Sequence, residues 1–439
     1  MEPMRQGIPP GWRFQPFALR TLFHDPGSLL AATRDRHGDP FSVWSPGQDL
    51  VVTGTADGAK AIFSADPATF EAFGAEVLAP ILGRSSVLLL SGERHRAERR
   101  LLMPPFHGER MRAYGTLIQD AARRRMDAVR VGSIASVFQL AQDVTLDVII
   151  RAVFGVEQAA QVQRVRSAVE AKLRATTPWL VFFPFLRQRA FGLGPWDRFD
   201  RHDQATRALL HETLRDKRAH GLGGDILSLL LEARHEDGSP MPDDDVVDEL
   251  MTLLFAGHET TAITLAWAMH HVHADGALLE RLRAEIADLG TDPAPEAVSK
   301  APWLSAVVDE SLRLRPVVPL VGRVLARDFT LRGWRLPAGT AVGVSFLLLH
   351  HDPEIHPQPH RFRPERFLER SFSPFEYAPF GGGGRRCIGA AFAQMEAKVV
   401  LATWLSMGRY LPTGPAQPST ERRNITLGPR GGVPLRRIA

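Results

Sequence analysis

Cysteine, lysine and long hydrophobic runs are scarce in this 439-residue chain. Its one cysteine, Cys387, excludes an internal disulfide and a zinc site built from cysteines. No run of about 18 apolar residues is present, and the most apolar stretch, residues 179–186, contains Pro184. The first residues also lack the apolar segment of a secretory signal. We therefore predict a soluble, cytoplasmic protein without a stable membrane anchor.

Charge of either sign is not in excess. The chain has 53 basic and 49 acidic side chains, which gives a formal net charge of +4. A nucleic-acid-binding protein needs a concentrated basic surface, so no nucleic-acid partner is predicted. The 44% of hydrophobic residues is typical of a globular protein. The length alone allows two or three domains, or one large domain.

Hydrophobic periodicity predicts a mainly α protein with a minor β part. Helical patterns dominate residues 92–316 and return at 388–407, whereas short alternating segments predict strands within 39–75 and 317–345. Residues 352–386 are rich in proline, glycine and serine and predict a long irregular stretch, which is usually functional or disordered. A C-terminal hairpin is predicted around residues 428–432.

One helix is predicted to be long, about thirty residues. The aspartates at 243–245 precede an apolar segment that runs to about residue 273, and acidic side chains stabilise a helix start. The Thr260 hydroxyl is expected to bond the carbonyl of Ala256 and to bend the helix. Four residues share one stripe of this helix at spacings of three and four: Leu253, Gly257, Thr260 and Thr264.

The lone cysteine lies in a loop whose composition suits a thiolate ligand. Residues 381–384 are four consecutive glycines, which would let a flat group approach the backbone. Arg385 and Arg386 supply positive charge. A helix is predicted just after Cys387, so its dipole is expected to lower the pKa of the thiol. The alternative is a buried, inert cysteine, and the composition of the loop argues against it.

The spacing of Phe380, Gly383, Arg385, Cys387 and Gly389 resembles the haem-binding loop of cytochrome P450 haem-thiolate monooxygenases. The resemblance implies that Cys387 is the proximal iron ligand of heme b (iron protoporphyrin IX), and that Arg385 faces a haem propionate. Phe380, Gly383 and Gly389 then belong to the cofactor-binding loop. It further implies the cytochrome P450 fold, a triangular helical prism with a long central helix over the haem and small β-sheets. The whole chain, 1–439, would be one such domain.

Glu310 and Arg313 are three residues apart on a predicted helix, so their side chains share a face. With Arg366 they resemble the Glu–Arg–Arg triad of the family, which is thought to brace the irregular loop before the cysteine. The alternative is a solvated surface pair. Loss of one member of a buried triad would leave an unpaired charge in the interior.

Residues 256–261 of the long helix resemble the oxygen-binding groove of the family. Ala256 and Gly257 would then lie against the haem, Thr260 would bond oxygen and water, and Glu259 would help to deliver protons. The alternative is an ordinary buried helix.

Three basic residues match family positions that contact haem propionates. His95 and Arg99 are one turn apart on a predicted basic helix, and Arg323 follows the segment 316–319. Taken singly, each of them favours a surface position, and only the ordered set of all the motifs favours a contact with the haem.

The resemblance implies a monooxygenase that inserts one atom of O2 into a small apolar substrate such as a fatty acid, terpenoid, steroid or macrocyclic natural product. The expected pocket segments are 70–90, 179–191, 253–261, 317–321 and 424–426. Electrons would come from NAD(P)H through a reductase and a separate ferredoxin or flavodoxin. A basic patch of the arginines at 94, 96, 99, 100, 385 and 386 would attract that acidic partner. We expect a monomer.

Two other functions remain open at this point. A peroxide-using haem-thiolate enzyme or an isomerase would keep the haem but would usually lack the Glu259–Thr260 pair. A haem-based sensor would need a signalling segment, and none is visible in the sequence.

Overall fold

The computed structural model describes residues 5–13, 21, 24–44, 49–106, 108, 110–155 and 158–439. Helices form most of it. In chain order they are α1 (Pro26–His37), α2 (Ala56–Phe63), α3 (Ala75–Leu82), α4 (Gly92–Leu102), α5 (Arg110–Asp127), α6 (Val137–Phe154), α7 (Ala159–Ala175), α8 (Pro178–Phe182), α9 (Pro195–His220), α10 (Ile226–Glu232), α11 (Asp243–Ala274), α12 (Gly276–Asp288), α13 (Pro295–Lys300), α14 (Pro302–Leu314), α15 (Phe346–Leu349), α16 (Arg366–Glu369) and α17 (Ala390–Met407).

The strands are short and lie mostly near the two ends of the chain. They are β1 (Arg5–Gln6), β2 (Gly11–Trp12), β3 (Phe41–Val43), β4 (Leu50–Thr53), β5 (Phe70–Ala72), β6 (Ile134–Ser136), β7 (Leu320–Leu325), β8 (Phe329–Leu331), β9 (Trp334–Leu336), β10 (Ala341–Ser345), β11 (Tyr410–Pro412), β12 (Thr420–Arg423), β13 (Thr426–Pro429) and β14 (Pro434–Arg437).

The largest sheet of the described chain has the strand order β2-β3-β4-β10-β7-β5. Its central strand β10 pairs in parallel with β4 and antiparallel with β7, and all five of its residues are buried. Two smaller sheets have the orders β1-β9-β8 and β11-β14-β6, and β12 and β13 form a separate hairpin. One core lies between the large sheet and the helices α2 and α15, and includes Phe63, Val342 and Phe346.

Helix α11 is the centre of the helical part. It packs against α6, α14 and α17, and every residue from 261 to 269 is buried. A helix that is apolar all round is expected to be surrounded by other helices. Its first turn carries Asp243, Asp244 and Asp245, and their negative charges interact favourably with the positive end of the helix dipole.

The mainly α fold with a minor β part is confirmed, as is the long helix, which has 32 residues. The irregular stretch before the cysteine contains only α16 and a short turn at Gly383–Arg385. The predicted β-rich and helical segments differ in detail from the observed ones. The β-rich segment 39–75 also contains α2, and the helical segment 92–316 contains β6. Residues 45–48 of the first predicted strand region lie outside the described residues.

The predicted position of the C-terminal hairpin was wrong. The hairpin joins β12 to β13 and turns at Asn424 and Ile425, where Asn424 has a φ of 53°. Gly431 and Gly432 have φ values of 77° and 71°. They redirect the chain, so that β14 leaves β13 and pairs with β11 and β6 instead. No helix within the described residues has the length and apolar character needed to cross a membrane.

Candidate active site

Cys387 lies at the end of a tight loop that is closed by backbone hydrogen bonds. The Cys387 amide donates to the carbonyl of Phe380 at 2.9 Å, and the amide of Arg386 donates to that of Gly383 at 3.1 Å. Gly381 and Gly383 have φ values of 70° and 64°, which favour glycine. Helix α17 begins three residues after the cysteine.

The glycines of this loop are explained by packing against the protein itself. A Cβ at Gly382 would lie 2.4 Å from the ring of Phe63, and one at Gly383 would lie 2.4 Å from the Phe63 carbonyl oxygen. Close packing against α2 is therefore one reason why these two positions lack side chains. At Gly389 a Cβ would meet nothing within 4 Å.

The Cys387 side chain is reachable by solvent although it lies deep among protein atoms. Burial raises the pKa of the thiol above its ordinary value, whereas the backbone at Gly389 and the charges of Arg386 and Arg99 lower it. The expected lowering of the thiol pKa was wrong, because desolvation exceeds these favourable interactions. A thiolate at this position calls for a cation as its partner.

The structure brings together the four basic residues that were predicted to face an anionic group. His95, Arg323 and Arg385 line one cavity, and Arg99 follows His95 by one turn of α4. Arg385 Nη2 donates to the carbonyl of Leu90 at 2.5 Å. Arg99 donates to the carbonyl just before the cysteine, and Arg323 to that of its preceding residue. Within the described chain none of the four forms an ion pair with a carboxylate.

Burial, and to a smaller extent the neighbouring positive charges, lower the pKa values of these basic residues. Burial together with the charge of Arg385 lowers the pKa of Arg323 to about 10, and burial together with Arg99 lowers that of Arg385 to about 10. Burial and the charges of nearby arginines, Arg385 first, lower the pKa of His95 to about 4, so its ring is neutral near pH 7. Desolvated arginines without a carboxylate, beside a neutral imidazole, suit an anionic ligand such as the two propionates of a haem.

The predicted basic patch is partly neutralised. Three of its six arginines have acidic partners: Arg94 pairs with Asp245, Arg96 with Glu93, and Arg100 with Glu236. Glu93 is three residues before Arg96 on α4, a pair that local spacing allows. Asp245 on α11 and Glu236 in the segment before α11 are distant in the sequence, so their approach could not be read from local spacing. The positive charge beside the cysteine comes mainly from Arg99, Arg385 and Arg386.

Glu310, Arg313 and Arg366 form a network in the interior, as predicted. Arg313 donates to the Glu310 carboxylate from Nε at 2.7 Å and from Nη2 at 2.8 Å, and Arg366 Nε donates at 3.1 Å. None of the three side chains is more than 3% exposed. The backbone N–H of Arg363 also donates to Glu310 at 2.8 Å, a contact that the sequence did not reveal.

This network connects to the loop that carries the cysteine. Arg313 Nη1 donates to the carbonyls of His350 and Pro359 at 2.7 and 2.8 Å. The amide of Ala378, two residues before Phe380, donates to Nε2 of His350 at 3.0 Å. Arg313 of α14 thereby fixes the backbone at residues 350 and 359, and His350 in turn fixes the backbone at residue 378.

The middle of helix α11 presents one open face. The Thr260 hydroxyl donates to the carbonyl of Ala256 at 2.8 Å, as predicted. Leu253, Ala256, Gly257 and Thr260 are all partly or fully exposed and share one face, whereas residues 246–252 and 261–269 are buried. A Cβ at Gly257 would lie 3.2 Å from Ile149 of α6, so this glycine also allows two helices to approach closely.

Two carboxyls lie near this face, and the sequence identified only one of them. Burial raises the pKa of Glu259 to about 6. Glu396 of α17 is wholly buried, and burial raises its pKa to about 8, which the Thr261 hydroxyl partly offsets. In the sequence, the signal that could have identified this second carboxyl is a glutamate within the apolar run of α17. The contact joins α11 to the helix that follows Cys387.

A further residue beside Glu259 comes from the C-terminal hairpin. The Thr426 hydroxyl lies 3.4 Å from Oε2 of Glu259, and the charge of Arg423 acts on the same carboxyl. The segment 424–426 was predicted as pocket lining, but its contact with Glu259 was not foreseen. Ile425 packs with Phe182 and Phe255 in an apolar cluster between α8, the hairpin and α11.

Comparisons with known proteins agree with this arrangement. The family model described as cytochrome P450 matches residues 6–432. The chain is 33% identical over 440 residues to a Mycobacterium tuberculosis protein named cytochrome P450 135B1, covering 98% of this chain and 91% of that one. It is 34% identical over 399 residues to cytochrome P450 137 from Mycobacterium tuberculosis, covering 88% and 80%.

Solved structures show the same fold. The retinoic-acid-bound cyanobacterial CYP120A1 superposes with a TM-score of 0.88 at 23% identity, covering 98% of this chain and 99% of that one. The haem domain of cytochrome P450DA superposes with a TM-score of 0.86 at 22% identity, covering 99% and 98%. From the family model and the curated relatives it follows that this chain belongs to the cytochrome P450 family and is a haem-dependent monooxygenase.

Proposed function

We propose that Cys387 is the thiolate ligand of a heme b iron, and that the enzyme inserts one oxygen atom from O2 into a small apolar substrate. One observation carries this assignment. Solvent can reach the cysteine, and four basic residues lie beside it. None of these four pairs with a carboxylate from the part of the chain that the structure describes. When bound, a thiolate-ligated haem supplies the activation of O2.

His95, Arg99, Arg323 and Arg385 would hold the two propionates. Their present partners are mainly backbone carbonyls, and a carboxylate forms stronger, charge-assisted bonds with arginine than a carbonyl does. Phe380, Gly383 and Gly389 would shape the loop around the sulfur, while Glu310, Arg313 and Arg366 keep the preceding stretch in place.

Thr260 and Glu259 would control the protons that the reaction consumes. The Thr260 hydroxyl already donates to a backbone carbonyl, so its oxygen is free to accept a hydrogen bond from a water molecule. Glu259 has a pKa of about 6 and can therefore both take up and release a proton near neutral pH. Ala256 and Gly257 would leave room for the ring beside this pair.

The substrate would lie against the partly buried apolar side chains of Phe182, Phe255 and Ile425. Such a lining suits a fatty acid, terpenoid, steroid or macrocyclic natural product. A ferredoxin or flavodoxin with an NAD(P)H-dependent reductase would supply two electrons, and it would dock near Arg99 and Arg386. We further propose a single catalytic domain that acts as a cytoplasmic monomer.

The spectrum of the reduced protein with carbon monoxide tests the ligand, and NAD(P)H consumption with a surrogate ferredoxin tests the reaction. Turnover with hydrogen peroxide but not with the ferredoxin would indicate a peroxide-using enzyme. A product isomeric with the substrate, formed without NAD(P)H, would indicate an isomerase. Haem binding without any turnover would favour a sensor. Binding-difference spectra with a lipid and terpenoid library would narrow the substrate class.

A further inference from the structure

Four charged side chains of alternating sign connect helices α7, α9 and α11. Lys172 of α7 forms an ion pair with Asp203 of α9 at 2.6 Å, and Nε of Arg207 donates to Asp203 at 3.0 Å. Nη1 of Arg207 in turn donates to Oδ1 of Asp248, on α11, at 2.6 Å. The four side chains are between 5% and 27% exposed, so most of their charge lies in the interior. These four residues are the charge network.

Both ends of the charge network hold the backbone of one short segment, residues 81–85. Nζ of Lys172 donates to the carbonyl of Ile81 at 2.7 Å, in the last turn of α3. Oδ2 of Asp248 accepts a hydrogen bond from the amide of Ser85 at 2.9 Å. The segment and the four side chains thus form a closed ring of contacts. Two cations balance two carboxylates in this ring, which reduces the cost of burying them.

Gly83 allows the carboxylate of Asp248 to come this close to the segment. Its φ of 97° favours glycine, and a Cβ there would lie 1.8 Å from Oδ1 of Asp248. Helix α11 also holds the residues that follow, because Oε1 of Glu249 accepts from the amide of Val87 at 2.7 Å. The stretch between α3 and α4 is therefore fixed by polar contacts with neighbouring helices and not by regular secondary structure of its own.

The apolar side chains of this segment lie beside the proposed substrate site. Ile81 and Leu82 are at most 2% exposed and belong to the apolar cluster that also contains Phe182, Phe255 and Ile425. These two side chains are the wall of the site. Apolar contacts alone do not fix a direction, whereas charge-assisted hydrogen bonds fix both distance and direction. The position of the wall is thus set by the polar contacts of its backbone.

Lys172 keeps its charge near neutral pH although it is buried. Burial lowers its pKa to about 8, and Asp203 opposes this shift. The ammonium group also lies 5.8 Å from the centroid of the Phe199 ring, which belongs to the same apolar cluster as the wall. Removal of one charge from the network would leave its neighbour buried with fewer partners, and the wall would lose its fixed position.

We propose that the charge network determines the length of apolar substrate that the enzyme accepts, because it fixes the wall. Lys172 and Asp248 are positioning residues: they act through the backbone of residues 81–85 and not by contact with the substrate. Asp203 and Arg207 link the two, so that a change anywhere in the network reaches the wall. This inference rests on the proposed haem and substrate site.

Alkylimidazoles of increasing length test the wall without any turnover. The imidazole nitrogen binds the haem iron of the holoprotein and shifts its Soret band, while the alkyl group enters the apolar site. Each CH2 that becomes buried corresponds to about a fourfold gain in affinity. From butylimidazole to dodecylimidazole, the wild-type dissociation constant should fall with length until the alkyl group meets the wall, and should then stop falling.

Asp248→Asn and Lys172→Met release the wall from opposite ends of the network. In both variants the affinity should continue to rise with length. Dodecylimidazole should then bind several-fold more tightly than it binds the wild type, whereas the affinity for butylimidazole should not change. Gly83→Ala displaces the wall without removing a charge, because the added Cβ overlaps with Asp248. It should also change the length at which the affinity stops rising.

Matched controls separate the wall from a general weakening of the fold. Arg164→Met removes another pair between α7 and α9, the two hydrogen bonds from Arg164 to Glu212 at 2.8 and 2.7 Å, which lies on the surface. Gly74→Ala carries a similar backbone cost at a φ of 71°, but its Cβ meets nothing within 4 Å. Both should keep the wild-type dependence on length. Arg207→Lys keeps the charge and should do the same, whereas Arg207→Met should behave like Asp248→Asn.

The wild-type dependence on length in Asp248→Asn, Lys172→Met and Gly83→Ala would overturn the inference. An altered dependence in Arg164→Met would also overturn it, because any loosening of α7 and α9 would then be sufficient. Since the three variants act at separate points, those that retain haem decide the outcome. A wild-type affinity that rises through the whole series would show that no wall limits the site. A wild-type Soret band that responds to none of the imidazoles would instead contradict the proposed haem site.

Discussion

Arg313 holds the carboxylate of Glu310 through two hydrogen bonds, of 2.7 Å from Nε and 2.8 Å from Nη2, where neither side chain is exposed. Two parallel bonds fix the direction of the guanidinium as well as its distance. The remaining donors of Arg313 are aimed at backbone carbonyls of the stretch before the cysteine. The ion pair therefore sets the path of a segment that has little regular structure of its own.

We expect Glu310→Ala and Arg313→Ala each to destabilise the protein strongly and to reduce haem retention. Glu310→Ala leaves two buried arginines without their carboxylate, and Arg313→Ala leaves Glu310 with Arg366 as its remaining arginine. Breaking a buried ion pair typically costs about 3–5 kcal/mol. The haem content per chain and the urea midpoint provide the measurement. Activity per bound haem should fall much less than haem content. Normal haem content in both variants would show that this pair does not brace the loop.

The control for this prediction is Glu280→Ala. Glu280 pairs with Arg283 at 3.1 Å with the same spacing of three residues, but its side chain is 67% exposed. Exposed pairs contribute about 0–1 kcal/mol, so haem retention should match that of the wild type.

Gly383→Ala should loosen the cysteine loop more than Gly381→Ala does. Both glycines have positive φ values, so both substitutions carry a backbone cost of about 1–2 kcal/mol. Only at Gly383 would the added Cβ also lie 2.4 Å from the carbonyl oxygen of Phe63, whereas at Gly381 it meets nothing within 4 Å. Thermal unfolding and the rate of haem loss should be measured for both variants. Effects common to both report the backbone strain, and the additional effect in Gly383→Ala reports the steric overlap. Equal effects would argue against the close contact with α2.

The sequence predicted the features that depend on local order. The long apolar stretch after Asp245 predicted α11, and the three-residue spacing of Glu310 and Arg313 predicted a shared helix face. The back-bond of Thr260 followed from its position in that helix. Each of these features involves residues within a few turns of one another.

Contacts between distant segments could not be read from the chain. The contact of Gly383 with Phe63 joins positions 320 residues apart, and nothing in the glycine run indicates which group fills the space. The pairing of Arg94 with Asp245 is of the same kind. The C-terminal hairpin was misplaced because glycine at 431 and 432 predicts a change of direction, but not whether the strands on its two sides pair.

Cys387→Ser should abolish the thiolate signature while leaving a folded chain. The serine hydroxyl is a much poorer ligand than a thiolate, and the sequence has no second cysteine to replace it. In the reduced protein with carbon monoxide, the red-shifted Soret band should disappear. Circular dichroism should stay close to that of the wild type. Retention of the shifted band would contradict the assignment of Cys387 as the ligand.

Glu396→Gln should stabilise the protein at neutral and alkaline pH. Burial raises the folded pKa of Glu396 to about 8 from its ordinary value of 4.5. Such a group gives stability that is complete below pH 4.5 and is lost as the pH rises to about 8. Each unit of pKa difference corresponds to about 1.4 kcal/mol. In urea unfolding measured across pH, the free energy of unfolding of the variant should not show this loss, because the amide carries no titrating proton. Parallel pH curves for the two proteins would contradict the buried, protonated carboxyl.

Thr260→Ala should separate NAD(P)H consumption from product formation. The Thr260 hydroxyl is placed to hold a water on the open face of α11, and positioned proton delivery typically contributes about 10²–10⁴-fold. Without it, we expect the reduced oxygen to leave as hydrogen peroxide while NAD(P)H is still consumed. Substrate affinity should change little, because one hydroxyl contributes little apolar contact.

Thr264→Ala is the matched control: its hydroxyl makes the same back-bond, to the Thr260 carbonyl at 3.1 Å, but is buried. Product, peroxide and NAD(P)H should be measured together, with the redox partner in excess. If Thr260→Ala keeps the wild-type ratio of product to NAD(P)H, the proton must travel by a path that does not use this hydroxyl.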